Sequence, residues 1–191
     1  MENLLYWLVI FVEFLIIIFL MYYSWKKHEQ AKRDFLTGLF NRSFLSNTLC
    51  DFLEKEGVFA VVMIDIDNFK LINDSLGHVV GDKILKSASS RIIGNIRPSD
   101  IAFRYGGEEF TVILPEVSKQ GAVEVCERLQ KKMRKTYRLE SSPSKEVNLK
   151  VTVSMGGTMS QKDDSPLSII ERADKVLYQA KENGRDRIIF D

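Results

Sequence analysis

Leu4 to Tyr23 is a run of twenty residues with a single charge, Glu13. As a helix rising ~1.5 Å per residue it is ~30 Å long, the thickness of a bilayer's hydrocarbon core. Fourteen of the twenty are Leu, Ile, Phe or Val. Together they favour insertion by ~4–8 kcal/mol, against a cost of ~3 kcal/mol for one mid-span acid, so insertion wins. A cleaved signal peptide fits poorly: there is no basic n-region, the apolar run is too long, and no small-residue cleavage site follows. Residues 1–25 therefore read as an anchor helix. Only Met1, Glu2 and Asn3 precede the span, whereas Lys26, Lys27, Lys32 and Arg33 follow it. The positive-inside rule then places the remainder in the cytoplasm, as a single-pass protein of the inner (cytoplasmic) membrane in contact with its lipid. Tyr6 and Trp7 at one end, and Tyr22, Tyr23 and Trp25 at the other, suit the two interfacial belts. Glu13 is either tolerated in a protonated form or paired across helices or with a ligand.

Residues 26–33 form a short cytoplasmic linker, too short to hold a sensory domain and able to continue the helix. Residues 34–191 are enough for one domain with a full core. The chain is 45% hydrophobic and 28% charged with a net charge of +1. That composition is globular rather than disordered, and its balance points to no nucleic-acid partner. Cys50 and Cys126 lack metal-type spacing and sit in helix-like patterns, which suits reduced, packed thiols.

From Asp34 onward helix and strand patterns alternate. Asn41 caps a helix with Phe44, Leu45, Thr48, Leu49, Phe52 and Leu53 on its apolar side. Val58 to Ile64 is a near-continuous apolar run, the mark of a strand buried on both faces. Ile84, Leu85, Ala88, Ile92 and Ile96 keep helical spacing. Ile101–Arg104 and Phe110–Leu114 predict a hairpin around Gly106-Gly107. Ser118 opens another helix, residues 139–145 read as a solvated loop, and Val147 to Met155 as one strand. Ser165-Pro166 begins a helix that stops near Gly184, and Ile188–Phe190 is a last strand. The fold class is α/β, with roughly five strands in a central sheet flanked by helices.

The buried strand ends in Asp65-Ile66-Asp67, and strand alternation puts both acids on one side at its tip. The hairpin presents Gly106-Gly107-Glu108-Glu109. Carboxylates from two elements beside a glycine turn are what a hard divalent cation needs to hold a triphosphate. Each piece alone is weak. Together with its companions, the run Arg104-Tyr105-Gly106-Gly107-Glu108-Glu109-Phe110 resembles the signature of the GGDEF family in its Glu-containing variant. Asp34-Phe35-Leu36-Thr37-Gly38-Leu39-Phe40-Asn41-Arg42 is similar to that family's opening motif. Asp65-Ile66-Asp67-Asn68-Phe69-Lys70, Asn73-Asp74, Gly77-His78 and Gly81-Asp82 resemble its second block. Ala173-Asp174, Leu177-Tyr178, Ala180-Lys181 and Gly184-Arg185 resemble its closing helix. The resemblance covers Asp34 to the C-terminus; Asp186 stands where the family often has Asn.

The resemblance implies a palm-like nucleotidyl-cyclase fold over residues 34–191. It also implies a diguanylate cyclase, which condenses two GTP into cyclic di-GMP and two pyrophosphates by two-metal phosphoryl transfer, in signal transduction. Asp65 and Glu108, with the Ile66 carbonyl, would ligate Mg²⁺, two ions per GTP site, Mn²⁺ being an alternative. Glu108 would also deprotonate the attacking 3′-hydroxyl, with Glu109 beside it as a further ligand. Asn73 and Asp82 would read the guanine edge, and an amide with a carboxylate does match its acceptor and donors. Gly106 and Gly107 would let backbone approach phosphate oxygens. Lys70, Lys181 and Arg185 would neutralise the triphosphate. His78 either lines the guanine pocket or caps the following helix. Two domains, each holding one GTP, must face each other, so a homodimer is implied.

Arg97-Pro98-Ser99-Asp100 has the spacing that marks the family's inhibitory site, where product binds. Five residues of extended chain between Asp100 and Gly106 span ~17 Å, too far to share the catalytic site. Its other reading is a helix-to-strand turn with a surface ion pair. Two rival functions remain: a catalytically silent GGDEF domain sensing GTP or cyclic di-GMP at the membrane, and a cyclase acting on a single nucleotide. The first usually loses the metal acids or signature glycines, which are present here. No P-loop pattern occurs.

Overall fold

The computed structural model describes residues 2–55, 57–142 and 145–191. The chain divides into two compact units, Met1–Arg33 and Asp34–Asp191. The first is a single helix, α1 (Glu2–Ala31). No proline or glycine interrupts it, so it runs past Trp25 to the end of the polar stretch. Its stretch Tyr6–Ala31 is long and apolar enough to cross a membrane. Phe11, Phe14, Ile17 and Leu20 are all exposed along it.

The second unit starts with β1 (Phe40–Asn41), α2 (Arg42–Glu54), β2 (Phe59–Ile66), α3 (Phe69–Leu76) and α4 (His78–Ile93). It continues with β3 (Ile101–Arg104), β4 (Glu109–Pro115), α5 (Lys119–Met133), β5 (Lys135–Ser142) and β6 (Lys145–Val151). It closes with β7 (Val153–Met159), α6 (Pro166–Glu182) and β8 (Ile188–Phe190). Six strands form one sheet in the order β1-β3-β4-β2-β7-β8, and β5 and β6 form a separate pair. The α/β class is as expected, with one more strand in the main sheet because two-residue β1 pairs parallel with β3.

β2 is central and pairs antiparallel with both β4 and β7. Its side chains alternate between two cores, which is why its sequence is continuously apolar. Ala60, Val62 and Ile64 join Phe69, Ile72, Ile84, Leu85, Val125 and Leu129 on one face. Phe59, Val61 and Met63 join Leu45, Leu49, Ile170, Ala173 and Leu177 on the other. Each fully buried side chain of this size contributes ~1.5–3 kcal/mol. Helix starts follow their caps: the Asn41 side chain accepts from Phe44 N at 3.0 Å, and Ser165 and Ser168 form a reciprocal box ahead of α6. α6 lies directly on β7. A Cβ on Gly156 would collide with the backbone of Leu177 and Ala173, so only glycine allows this approach.

Three local expectations change. Residues 139–145 were expected to be a solvated loop, yet strands β5 and β6 extend to Ser142 and from Lys145, with a register shift between Glu140 and Ser142. Pro143 and Ser144 lie outside the described residues. The single strand expected over Val147–Met155 breaks at Thr152, where the chain leaves the hairpin for the main sheet and the Thr152 carbonyl accepts from Asp67 N at 3.0 Å. α4 ends at Ile93 with Gly94 as its cap, so Ile96 packs against the core from beyond the helix. The eight-residue α3 has no counterpart among the expected elements.

Candidate active site

Antiparallel registry brings the acids together. Asp65 lies opposite Glu109 of β4 on one side and Ser154 of β7 on the other. Ile66 N donates to the Glu108 carbonyl at 3.3 Å, tying the tip of β2 to the hairpin. From α6, Lys181 Nζ reaches Asp65 Oδ2 at 2.7 Å. Asp65, Ile66, Glu108, Glu109 and Lys181 thus meet at one end of the sheet, beside Gly106 and Gly107.

The electrostatics are those of a crowded anionic pocket. Asp65 is 4% exposed. Burial pushes its carboxyl up to about 6; Lys181 opposes the shift, while Glu108 and Glu109 add to it. Burial also raises Glu108, again opposed by Lys181 and reinforced by Glu109. Among the described residues no three His, Cys, Asp or Glu side chains stand ready to hold a metal ion. The donor set nonetheless fits one: a buried carboxylate repelled by two half-buried ones is stabilised by a hard divalent cation, and here the Lys181 ammonium supplies positive charge to Asp65.

The glycine turn is held from behind. Arg104 donates through Nε to the Gly106 carbonyl at 3.2 Å and through Nη2 to the Gly107 carbonyl at 2.9 Å. Its Nη1 donates to both Asp34 oxygens at 3.0 Å, and Thr37 donates to Asp34 from its backbone N–H and its hydroxyl. Burial works against the Asp34 charge, but the Thr37 and Arg104 hydrogen bonds outweigh it and hold the carboxyl below its usual range. Gly106 lies against the carboxylate end of Glu109, which a Cβ there would displace. Arg104, Asp34 and Thr37 were legible only as motif letters. What showed their role was tertiary: a guanidinium whose five donors match two carbonyls and a carboxylate.

The strand-end partner Asp67 has a different fate. It is 5% exposed and accepts from Thr152 Oγ1 at 2.7 Å, Ser154 Oγ at 2.6 Å and Asp186 N at 3.1 Å. It faces structure rather than the pocket.

On the neighbouring helices, Asn73 Oδ1 is buried with no hydrogen-bond partner among the described residues. Gly81 abuts it so closely that a Cβ there would collide, and Asp82 follows Gly81 on α4, exposed. An orphaned buried acceptor beside an exposed carboxylate is an arrangement awaiting donors. Lys70, His78 and Arg185 are exposed, in the first turn of α3, at the start of α4 and beyond α6. No hydrogen bond or ion pair joins these three to the acid cluster among the described residues. Arg97 and Asp100 lie apart, on the turn between α4 and β3. The Asp100 carboxylate accepts from the Arg97 backbone N–H at 2.7 Å and the Arg97 side chain is exposed.

The family model described as "Diguanylate cyclase, GGDEF domain" matches residues 31–187. The chain is 40% identical over 162 residues to diguanylate cyclase A of Treponema denticola, covering 84% of this chain and 42% of that protein. It is 36% identical over 162 residues to the probable diguanylate cyclase DgcT of Escherichia coli K12, covering 83% and 35%. Among solved structures, the coiled coil and GGDEF domain of DgcB from Caulobacter crescentus, in complex with c-di-GMP, superposes with a TM-score of 0.82. That match has 28% identity and covers 92% of this chain and 93% of that one. The chain spans between about a third and two fifths of the length of these two curated relatives. The mixed sheet, the acid-lined glycine turn and these matches agree: the chain belongs to the GGDEF family of diguanylate cyclase domains.

Proposed function

We propose that the chain is a diguanylate cyclase that joins two GTP molecules into cyclic di-GMP. The observation that carries this reading is the convergence of Asp65, Glu108 and Glu109 with Lys181 at the Gly106-Gly107 turn. Asn73 and Asp82 take the guanine edge, the orphaned Oδ1 of Asn73 accepting from a ring or exocyclic N–H. Lys181, Arg185 and Lys70 neutralise the triphosphate, while Gly106 and Gly107 admit its oxygens close to backbone. Asp65, Glu108 and the Ile66 carbonyl would hold Mg²⁺ or Mn²⁺, with Glu109 adjacent, and a metal held there would supply Lewis-acid polarisation of the α-phosphate and of the attacking hydroxyl. Glu108, whose carboxyl burial raises, accepts the 3′-hydroxyl proton. The freed oxygen bonds to the α-phosphorus of the partner's GTP, the bond to the β-phosphate oxygen breaks, and pyrophosphate leaves.

Each hydroxyl attacks a nucleotide held by another copy, so the active form is a homodimer. α1 as a single membrane anchor, over residues 1–25, raises the concentration of copies facing each other on the cytoplasmic side, with 26–33 as linker and 34–191 as catalytic domain. Arg97 and Asp100 form a product-inhibition site, the exposed guanidinium forking onto a guanine edge.

The test is GTP turnover with Mg²⁺, products resolved by mass, for the wild type and Glu108→Gln. Cyclic di-GMP from the wild type and none from the variant supports the reading. Tight guanine-nucleotide binding without product would replace it with a sensor.

A further inference from the structure

Past α6 the backbone turns left-handed for three residues in a row. Gly184 has φ +107°, Arg185 φ +60° and Asp186 φ +48°. Glycine takes this region freely, but an arginine and an aspartate do so only where surrounding bonds over-determine the turn. Those bonds are present. Arg185 N donates to the Ala180 carbonyl at 3.1 Å, and Asp186 N donates to Asp67 Oδ2 at 3.1 Å. Arg134 grips Asp186 from the far side, through Nε to Oδ1 at 2.7 Å and Nη2 to its carbonyl at 3.1 Å. Asp67 is itself locked by the hydroxyls of Thr152 and Ser154.

The two acids at the tip of β2 therefore bracket one short segment. Asp65 holds its start through Lys181 Nζ, and Asp67 holds its end through Asp186 N. Arg185 lies between the two anchor points. Left-handed φ fixes the direction in which its Cβ leaves the chain, and a relaxed α or extended backbone would send the side chain elsewhere. A buried, fully bonded carboxylate is a costly way to close an ordinary surface turn.

We propose that Asp67, supported by Arg134, is a positioning residue that holds the Gly184-Arg185-Asp186 turn left-handed so that Arg185 meets the nucleotide's phosphates. The inference rests on the phosphate-binding role given to Arg185 above. It assigns Asp67 no contact with substrate; Asp67 acts through the backbone of Asp186.

The experiment measures binding of 3′-deoxy-GTP, which lacks the attacking hydroxyl, by calorimetry with Mg²⁺ present, alongside binding of guanosine. Asp67→Asn and Arg185→Ala are each expected to weaken the GTP analogue about tenfold, and the double variant less than about threefold further, because both act through one group. Guanosine affinity should move less than about twofold, since the base pocket on α3 and α4 is untouched. Arg134→Leu, at a half-exposed ion pair that the fold tolerates losing, keeps the test alive if Asp67→Asn does not fold; its loss of about two- to fivefold should vanish in the Arg185→Ala background. Losses that multiply in either cycle, or guanosine binding that falls in step with the analogue, overturn the positioning role alone. Wild-type protein that binds no 3′-deoxy-GTP overturns the cyclase reading and this inference with it.

Discussion

The acid rim and the buttress behind it start from the same strand end and are treated oppositely. Asp65 and Asp67 are both almost fully buried, at 4% and 5% exposure. Asp67 has three donors within 3.1 Å, whereas Asp65 has one lysine and two neighbouring acids. One carboxylate is saturated, and the other is left short of positive charge. The lesson is that burial alone does not mark a functional acid; unmet demand does.

The largest expected break in this contrast is Asp65→Asn. It should reduce cyclic di-GMP formation at least ~10³-fold by removing the carboxylate proposed to hold the metal, measured by product mass. It should not lower the melting temperature of metal-free protein by more than a few degrees, because a destabilised buried charge leaves with it.

Arg104→Ala comes next. It releases the carbonyls of Gly106 and Gly107 and strands Asp34, whose pair with Arg104 is only 15% exposed on either side. A loss of ~2–3 kcal/mol in denaturant unfolding, with turnover down roughly tenfold to a hundredfold, is expected. Unchanged turnover would show that the turn holds its shape without the clamp.

Acidification sharpens the comparison further. In the metal-free protein Asp65 titrates at about 6 rather than 3.8. A folded-state value above the unfolded one means that this group opposes folding, fully above about pH 6 and progressively less as pH falls towards 3.8. Asp34 acts with the opposite sign: its lowered carboxyl contributes stability above 3.8 that is lost as pH falls through its folded value. With Asp65 as the ligand proposed above, Mn²⁺ affinity without nucleotide should fall roughly tenfold per pH unit below about 6. Calorimetry between pH 5 and pH 7.5 reads this directly, and a flat profile would place the ligand set elsewhere.

The smallest effect belongs to the buttress. Ser154→Ala removes one of the two hydroxyls that satisfy Asp67 and should cost ~1.5–3 kcal/mol of stability, as for a hydrogen bond to a charged group. Its effect on turnover should stay below roughly tenfold, because the rim is untouched. A larger kinetic than thermodynamic effect would erase the distinction between the two regions.

Much of this molecule was legible in its residues. The apolar run read as a membrane-length helix recurs as α1, and the strand expected over Val58–Ile64 recurs as β2 over Phe59–Ile66, leaving Val58 exposed ahead of it; an unbroken apolar run of that length has no polar side to expose. The hairpin around Gly106-Gly107 and the helices capped by Asn41, Ser118 and Ser165 followed from cap chemistry and spacing. α3 did not: Phe69, Ile72 and Leu76 keep helical spacing, but over only eight residues, short of the ~10–12 that distinguish a helix from other short apolar runs. The β5–β6 hairpin does not show because Ser141, Ser142 and Pro143 read as a loop, and the break at Thr152 does not show because Val147, Asn148, Leu149, Lys150, Val151, Thr152 and Val153 alternate apolar and polar without interruption.

Residue types alone limit the chemistry open to this chain: carboxylates at a strand tip and beside a glycine turn, basic residues late in the chain, and an amide and acid between. Packing is what sets the two strand-end carboxylates apart. Asp65 and Asp67 are indistinguishable by strand alternation, since both emerge on one side. Only registry with β4 and β7, and the seating of α6 on Gly156, puts Lys181 and two glutamates near the first and two hydroxyls and a backbone N–H on the second. Pairwise charge and hydrogen bonding act over a few ångströms, and residues some 40 to 120 positions apart reach that range only when the chain has folded.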